Sequence, residues 1–159
     1  MELYSDFEEF IKLLNKHNVK YLVVGGYVVS YYSHPRNTGD IDVFVESSND
    51  NAKNILSVLD EFGFGYLNIS LDDLMKSNQV IQLGNSPVRI DIMTSIDGVK
   101  FNEAYKNKEL AKFGKIENVP IISLNDLLKN KKLSGREKDI QDVKSLEKDG
   151  KNFNKDIEI

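Results

Sequence analysis

The chain has 159 residues, 40% of them hydrophobic and 29% charged, with a formal net charge of −4, which fits one ordinary globular domain. The acidic balance argues weakly against general nucleic-acid binding, which depends on Lys and Arg, and the lack of cysteine excludes disulfides, thiolate metal sites and cysteine nucleophiles. No apolar run reaches membrane-spanning length, and residues 1–6 lack the basic region of a signal peptide. We therefore expect a cytoplasmic protein that has no membrane partner.

Hydrophobic spacing in the first part of the chain predicts helices that alternate with strands. Residues 5–16 carry apolar side chains at helical intervals, and residues 19–24 form a β-branched run typical of a strand. After a glycine pair, a short helix is predicted over 27–33. A strand follows over 40–46, where side chains alternate, and an amphipathic helix over 51–62.

The second part of the chain predicts a hairpin and then helices. Residues 80–83 and 88–93 have the composition of two strands joined by a turn. Residues 101–110 are polar and partly helical, residues 119–122 indicate a short strand or edge segment, and residues 124–147 indicate one or two helices.

This order of elements predicts an α/β (α+β) fold, a small mixed β-sheet with helices packed on it. We expect a single domain over residues 1–147. The charged residues 148–159 are expected to form a frayed C-terminal tail.

Two acids stand two residues apart in the strand predicted over 40–46. Asp40 and Asp42 would point to the same face of the sheet, roughly 6 to 7 Å apart at about 3.3 Å of rise per residue. They would repel each other, so either one pKa is raised or a cation lies between them. Oxygen ligands of this kind suit Mg²⁺ or Mn²⁺.

A third acid, Asp91, interrupts the otherwise apolar strand predicted over 88–93. A buried acid is costly unless it is paired, and we expect Arg89, two positions away, not to pair with it easily. If this strand neighbours the strand of Asp40 and Asp42, three carboxylates meet, which is enough for a two-metal site.

A glycine pair, Gly25 and Gly26, separates the first predicted strand from the short helix. Glycines here allow the backbone to approach a ligand closely, and the N–H groups at the start of a helix favour phosphate. A phosphate-binding turn beside metal-binding acids indicates phosphoryl transfer.

Two blocks with this pattern resemble a known family. Val-Val-Gly-Gly at 23–26, a short helix, and then Arg-Asn-Thr-Gly-Asp-Ile-Asp-Val at 36–43 resemble the polymerase-beta-like nucleotidyltransferase superfamily. The Arg-x-Thr-x-Asp-Ile-Asp form is more specifically similar to bacterial minimal nucleotidyltransferases related to abortive-infection toxins of the AbiEii type.

A later block agrees with this resemblance. Ser-Gly-Arg-Glu-Lys-Asp-Ile-Gln-Asp-Val at 134–143 is similar to the Gly-Arg-x-Lys-Asp-x-x-Asp stretch that follows the catalytic core in those proteins, although Glu137 stands where proline is common. The resemblance covers about residues 19–146 and implies the nucleotidyltransferase fold.

The resemblance implies a role for each matching residue. Gly25 and Gly26 would bind the triphosphate of an NTP, and Asp40 and Asp42 would hold Mg²⁺ or Mn²⁺. Asp91 would hold one metal and act as, or position, the base for an acceptor hydroxyl. An in-line attack on the α-phosphate would then release pyrophosphate.

Other polar residues have two interpretations. Arg36 and Thr38 contact the nucleotide phosphates or fix the loop before the Asp40 strand. Lys131, in the basic stretch 129–132, contacts an NTP or RNA, or lies on a solvated helix face. The charged side chains of the later block are spaced for internal ion pairs that pack the C-terminal helix; they are Arg136, Lys138, Asp139 and Asp142.

The sequence thus predicts a metal-dependent enzyme that transfers a nucleoside monophosphate to a hydroxyl on RNA, protein or a small molecule. Because little chain remains beyond the core, a macromolecular acceptor is favoured. A toxin–antitoxin or phage-defence setting follows from the resemblance alone. The alternative is a non-catalytic nucleotide-binding antitoxin or regulatory module that acts through a protein partner.

Overall fold

The computed structural model describes residues 5–33, 39–85 and 87–149. Helices and strands alternate along them. In chain order the elements are α1 (Ser5–Lys16), β1 (Tyr21–Val24), α2 (Gly26–Tyr32), β2 (Asp40–Val45), α3 (Asn49–Phe62), a 3₁₀ turn (Gly65–Leu67), α4 (Leu71–Met75), β3 (Val80–Asn85), β4 (Val88–Met93), α5 (Phe101–Lys106), β5 (Glu109–Phe113), β6 (Ile116–Ile121), α6 (Leu124–Ser134) and α7 (Glu137–Asp149).

The described strands form one mixed sheet in the order β3-β4-β2-β1-β6-β5. β2 pairs parallel with β4 and antiparallel with β1, and β1 pairs parallel with β6. The outer pairs, β3 with β4 and β5 with β6, are antiparallel hairpins. This mixed sheet with packed helices confirms the predicted fold class.

The apolar stripes identified in the sequence form the core. All four residues of β1 and all seven of α2 are buried, as expected for a central strand and the helix behind it. The tyrosines of α2 are therefore core residues. Tyr32 satisfies its buried hydroxyl by donating to the Ile122 carbonyl oxygen at 2.8 Å, since a buried donor without a partner is costly.

Strand β5 was not predicted, because residues 109 and 110 were included in the polar, partly helical segment 101–110 and residues 111–113 were assigned to no element. Its alternation is hard to recognise: Ala111 and Phe113 are buried, whereas the apolar Leu110 is 53% exposed. Pairing with β6, with Ala111 opposite Val119, forms the strand. As a result β6 lies between β1 and β5 and is not an edge.

The C-terminal region contains two helices. Gly135 ends α6 with a left-handed φ of 65°, and α7 continues to Asp149, two residues into the predicted tail. The remaining tail, residues 150–159, lies outside the described residues. Across the described ranges, no helix is long and apolar enough to cross a membrane.

Candidate active site

The register between β2 and β4 brings the predicted acids together. Asp42 lies opposite Asp91, and Asp40 lies opposite Arg89. Because directly opposed residues of neighbouring strands share a face, all three aspartates lie on one face of this central pair. We call the three aspartates the acidic face.

Arg89 joins two members of the acidic face. Its Nη2 is 2.7 Å from Asp40 Oδ2 and 3.0 Å from Asp91 Oδ2. The expectation that Arg89 would not pair with Asp91 is therefore wrong. Residues two apart on a strand project from the same face, and the long arginine side chain spans the gap while it also reaches across to β2.

The acidic face carries more negative than positive charge. The pKa of the Asp42 carboxyl is raised to about 6, first by burial and then by the nearby charges of Asp91 and Asp40, against the opposing charges of Lys131 and Lys138. Of the three carboxylates, Asp40 and Asp91 share the Arg89 guanidinium. A further cation would therefore stabilise the ionised form of the face.

The donor atoms fit a divalent metal ion. Asp91 is 6% exposed, and its Oδ1 is buried without a hydrogen-bond partner. Among the described residues, no three acidic or histidine side chains already form a ligand set. That does not conflict with Mg²⁺, which binds through one or two carboxylates together with substrate phosphates.

The glycine turn lies directly against the acidic face. Gly25 precedes α2 with a φ of 78°, a conformation that favours glycine. A Cβ atom at this position would overlap Asp42 Oδ2. The turn and the carboxylate therefore approach more closely than any other residue at position 25 would allow. Gly26 begins α2 and is buried.

Besides the glycine pair, three side chains were predicted to contact the nucleotide, and two of them, Arg36 and Thr38, lie outside the described residues. The third, Lys131, is not on a solvated helix face, because it is only 6% exposed. Its Nζ lies 3.2 Å from Asp139 Oδ1 and 3.1 Å from Asp142 Oδ2.

The internal ion pairs predicted for the C-terminal block are confirmed at Asp139. Arg136 Nε is 2.8 Å from Asp139 Oδ2. Burial would raise the pKa of Asp139, but hydrogen bonds from Arg136 and Lys131 outweigh it and hold the pKa below its ordinary value. We call Lys131, Arg136, Asp139 and Asp142 the helix ion cluster. It joins α6 to α7.

Two roles were missed in the sequence. The bridging position of Arg89 had one readable signal, its shared parity with Asp91, but the neighbouring strand was unknown. The buried position of Lys131 had no local signal, since a basic stretch is typical of an exposed helix face.

A glycine turn, an Asp-x-Asp strand and a third aspartate on the parallel neighbouring strand are the arrangement that the sequence resemblance predicts for nucleotidyltransferases of the polymerase-beta-like fold. The chain belongs to such a family: residues 4–159 match the family described as a nucleotidyl transferase of unknown function (DUF2204). The resemblance to nucleotidyltransferases is thereby confirmed, and the narrower similarity to the AbiEii type stays a prediction.

A solved structure shares the fold. It is the lincomycin-bound lincosamide antibiotic adenylyltransferase LnuA, with a TM-score of 0.57 and 17% sequence identity over 91% of this chain and 96% of that chain. No protein with a curated function matches the sequence.

Proposed function

We propose that the protein transfers a nucleoside monophosphate from an NTP to a hydroxyl acceptor in a reaction that depends on a divalent metal. The observation that carries the proposal is the register of Asp42 opposite Asp91 on two central parallel strands. A structural role alone gives no reason to gather three carboxylates around one guanidinium, because uncompensated buried charge destabilises a fold.

Asp40, Asp42 and Asp91 would hold Mg²⁺ or Mn²⁺. The bound metal would neutralise the charge that develops on the phosphates. The Gly25–Gly26 turn, whose close approach to Asp42 requires glycine, would receive the triphosphate. The predicted phosphate contacts of Arg36 and Thr38 belong to the same proposal.

Lys131 supports this site through its charge. It is buried beside Asp139 and Asp142, and its charge lowers the pKa of Asp42. Its predicted contact with the nucleotide would require it to leave the helix ion cluster. An electrostatic role on Asp42 needs no such movement, and we favour it.

In the proposed reaction the acceptor oxygen forms a bond to the α-phosphorus of the NTP. The bond from that phosphorus to the bridging oxygen breaks, and pyrophosphate leaves. Asp91 Oδ1, which is buried and has no donor, would accept the hydroxyl proton. An unpaired carboxylate oxygen is the kind of atom that a general base requires.

The proposed acceptors are RNA, a protein side chain and a small molecule with a free hydroxyl. LnuA, whose chain is covered over 96% of its length, is described as an antibiotic adenylyltransferase. The sequence analysis favoured a macromolecular acceptor because the chain is small. The match to LnuA makes a small-molecule acceptor equally compatible with a chain of this size. The cytoplasmic, toxin–antitoxin or phage-defence setting and a protein partner remain predictions.

The proposal is tested by incubating the protein with each α-labelled NTP, Mg²⁺ or Mn²⁺, and cell extract fractionated into RNA, protein and small molecules. We expect labelling of one fraction by the wild type and none by Asp42→Asn. Asp50→Asn, an exposed change of the same kind in α3, serves as the control and should label normally. Equal labelling by wild type and Asp42→Asn would overturn the proposal.

Absence of labelling by the wild type in every fraction would also overturn it. If NTP binding measured by calorimetry persisted in that case, the non-catalytic module would become the better interpretation. A pull-down from host extract would then identify its protein partner.

A further inference from the structure

The arginine that bridges the acidic face points to a control on metal binding. We propose that Arg89 is an internal counter-cation that competes with the divalent metal for Asp40 and Asp91, and so weakens metal binding until the nucleotide arrives. This inference rests on the proposed function, because it concerns the same carboxylates.

The position of Arg89 is set by the sheet. It lies opposite Asp40 across the parallel β2–β4 pair and two residues before Asp91 on its own strand. One nitrogen, Nη2, serves both carboxylates, at 2.7 Å and 3.0 Å. The guanidinium therefore lies between two of the three proposed metal ligands.

The hold of Arg89 on these carboxylates is incomplete. A guanidinium has five N–H donors and usually grips a carboxylate with two of them. Here Arg89 Nε is buried without a partner, and Asp91 Oδ1 is also without one. The Arg89 side chain is 31% exposed, so part of it is accessible to solvent. Such a pairing is replaceable.

The helix ion cluster shows what a saturated arrangement looks like in the same protein. Asp139 is fully buried and forms ion pairs with both Lys131 and Arg136. Arg136 uses Nε and Nη2 together on that carboxylate. Arg89, by contrast, divides one nitrogen between two acids and leaves charge uncompensated.

A divalent ion and a guanidinium cannot both occupy the same carboxylate oxygens. A metal ion that binds Asp40 Oδ2 and Asp91 Oδ2 must therefore displace Arg89, and the cost of breaking these two contacts lowers the apparent metal affinity. NTP phosphates would give the displaced guanidinium a new partner, since arginine favours phosphate. Nucleotide and metal would then strengthen each other's binding.

The test measures Mn²⁺ binding without nucleotide, by isothermal titration and by the electron paramagnetic resonance signal of free Mn²⁺. Arg89→Met should bind Mn²⁺ about tenfold more tightly than the wild type, the order expected when a competing internal contact is removed. Lys138→Met is the matched control. It removes an exposed positive charge that acts on Asp42 without touching Asp40 or Asp91, and should change the affinity far less.

A second measurement follows thermal stability and needs no activity. Without metal, Arg89→Met should melt at a lower temperature than the wild type, because the acidic face loses its counter-charge. Added Mn²⁺ should raise the melting temperature of Arg89→Met more than that of the wild type. Arg89→Lys, which keeps the charge on a single nitrogen, should show a melting temperature and a Mn²⁺-induced rise between those of the wild type and Arg89→Met. If Arg89→Met does not fold, Arg89→Lys takes its place in both measurements.

The failures of the two proposals are distinguishable. If wild type and Arg89→Met bind Mn²⁺ equally while Asp42→Asn binds weakly, the competition is overturned and the proposed metal site stands. Weaker binding by Arg89→Met also overturns the competition. If neither the wild type nor any variant binds Mn²⁺, with or without NTP, both proposals are overturned.

Discussion

The acidic face and the helix ion cluster are two gatherings of charge with opposite balances. The cluster pairs two aspartates with Lys131 and Arg136, and its aspartates are at most 2% exposed. The acidic face holds three aspartates, and the two that contact Arg89 are 30% exposed at Asp40 and 8% exposed at Asp91. The cluster contains as many basic as acidic side chains, whereas the face has three acidic side chains and one arginine.

This difference is the one expected between a structural site and the proposed functional site. Buried charge is stable when every ion is paired and hydrogen-bonded, and the cluster meets that condition by joining α6 to α7. The face retains excess negative charge and an unpartnered carboxylate oxygen. Groups left in this state at a partly open site are candidates for binding a cation or a proton.

Aspartate-to-asparagine changes in the two places provide the sharpest contrast. Asp91→Asn should reduce nucleotidyl transfer by about 10³-fold, since a lost metal ligand costs several kcal/mol of transition-state stabilisation. Its urea midpoint should stay close to that of the wild type. Asp142→Asn should lower the urea midpoint and keep most of the transfer rate per folded molecule. Transfer assays beside urea unfolding measure both effects. Similar losses of activity in both variants would break the comparison.

Breaking the helix ion cluster should cost more stability than breaking a surface pair. Lys131→Met is expected to lower the free energy of unfolding by about 3 kcal/mol, because it removes the cation shared by two buried carboxylates. Lys132→Met is the matched control. Its Nζ lies 2.9 Å from Glu147 Oε1 on an exposed surface, so the loss should stay below about 1 kcal/mol. Equal losses in urea unfolding would contradict a structural cluster.

The acidic face should make metal-free stability depend on pH. The pKa of Asp42 in the folded protein, about 6, lies above its ordinary value of 3.8. The folded state therefore favours the protonated form. Its stabilising contribution is full below about pH 4 and disappears as the pH rises through 6, with a loss of at most about 3 kcal/mol.

Asp42→Asn should remove this part of the pH dependence. Urea unfolding in EDTA between pH 4 and pH 8 should show the variant gaining stability over the wild type as the pH rises. Asp50→Asn should follow the wild type throughout. Parallel curves for wild type and Asp42→Asn would show that the acidic face carries no such strain.

A pair of glycine changes tests the turn beside the acidic face. Gly25→Ala combines a φ of 78° with overlap against Asp42, whereas Gly63→Ala has a φ of 96° and open space. Conformational strain of roughly 1–3 kcal/mol is expected in both. Gly25→Ala should lose additional stability and most transfer activity. If both variants behave alike in unfolding and transfer assays, the close approach to Asp42 has no functional importance.

Local patterns were readable from the sequence. The parity of Asp40 and Asp42 follows from the two-residue period of a strand, and the hairpin of β3 and β4 from two apolar runs around a turn. Strand β5 escaped because Leu110 faces outward and Lys112 interrupts its apolar run. Its pairing with β6, rather than its own composition, forms the strand.

The glycine turn, the two aspartates of β2 and the third aspartate of β4 were determined by the sequence itself, because backbone conformation and side-chain parity depend on near neighbours. Only the tertiary structure decided that Asp42 lies opposite Asp91, that Arg89 joins Asp40 to Asp91, and that Lys131 is buried. Each of these depends on which strands or helices are adjacent. That adjacency is settled by packing of the whole core, between residues far apart in the chain.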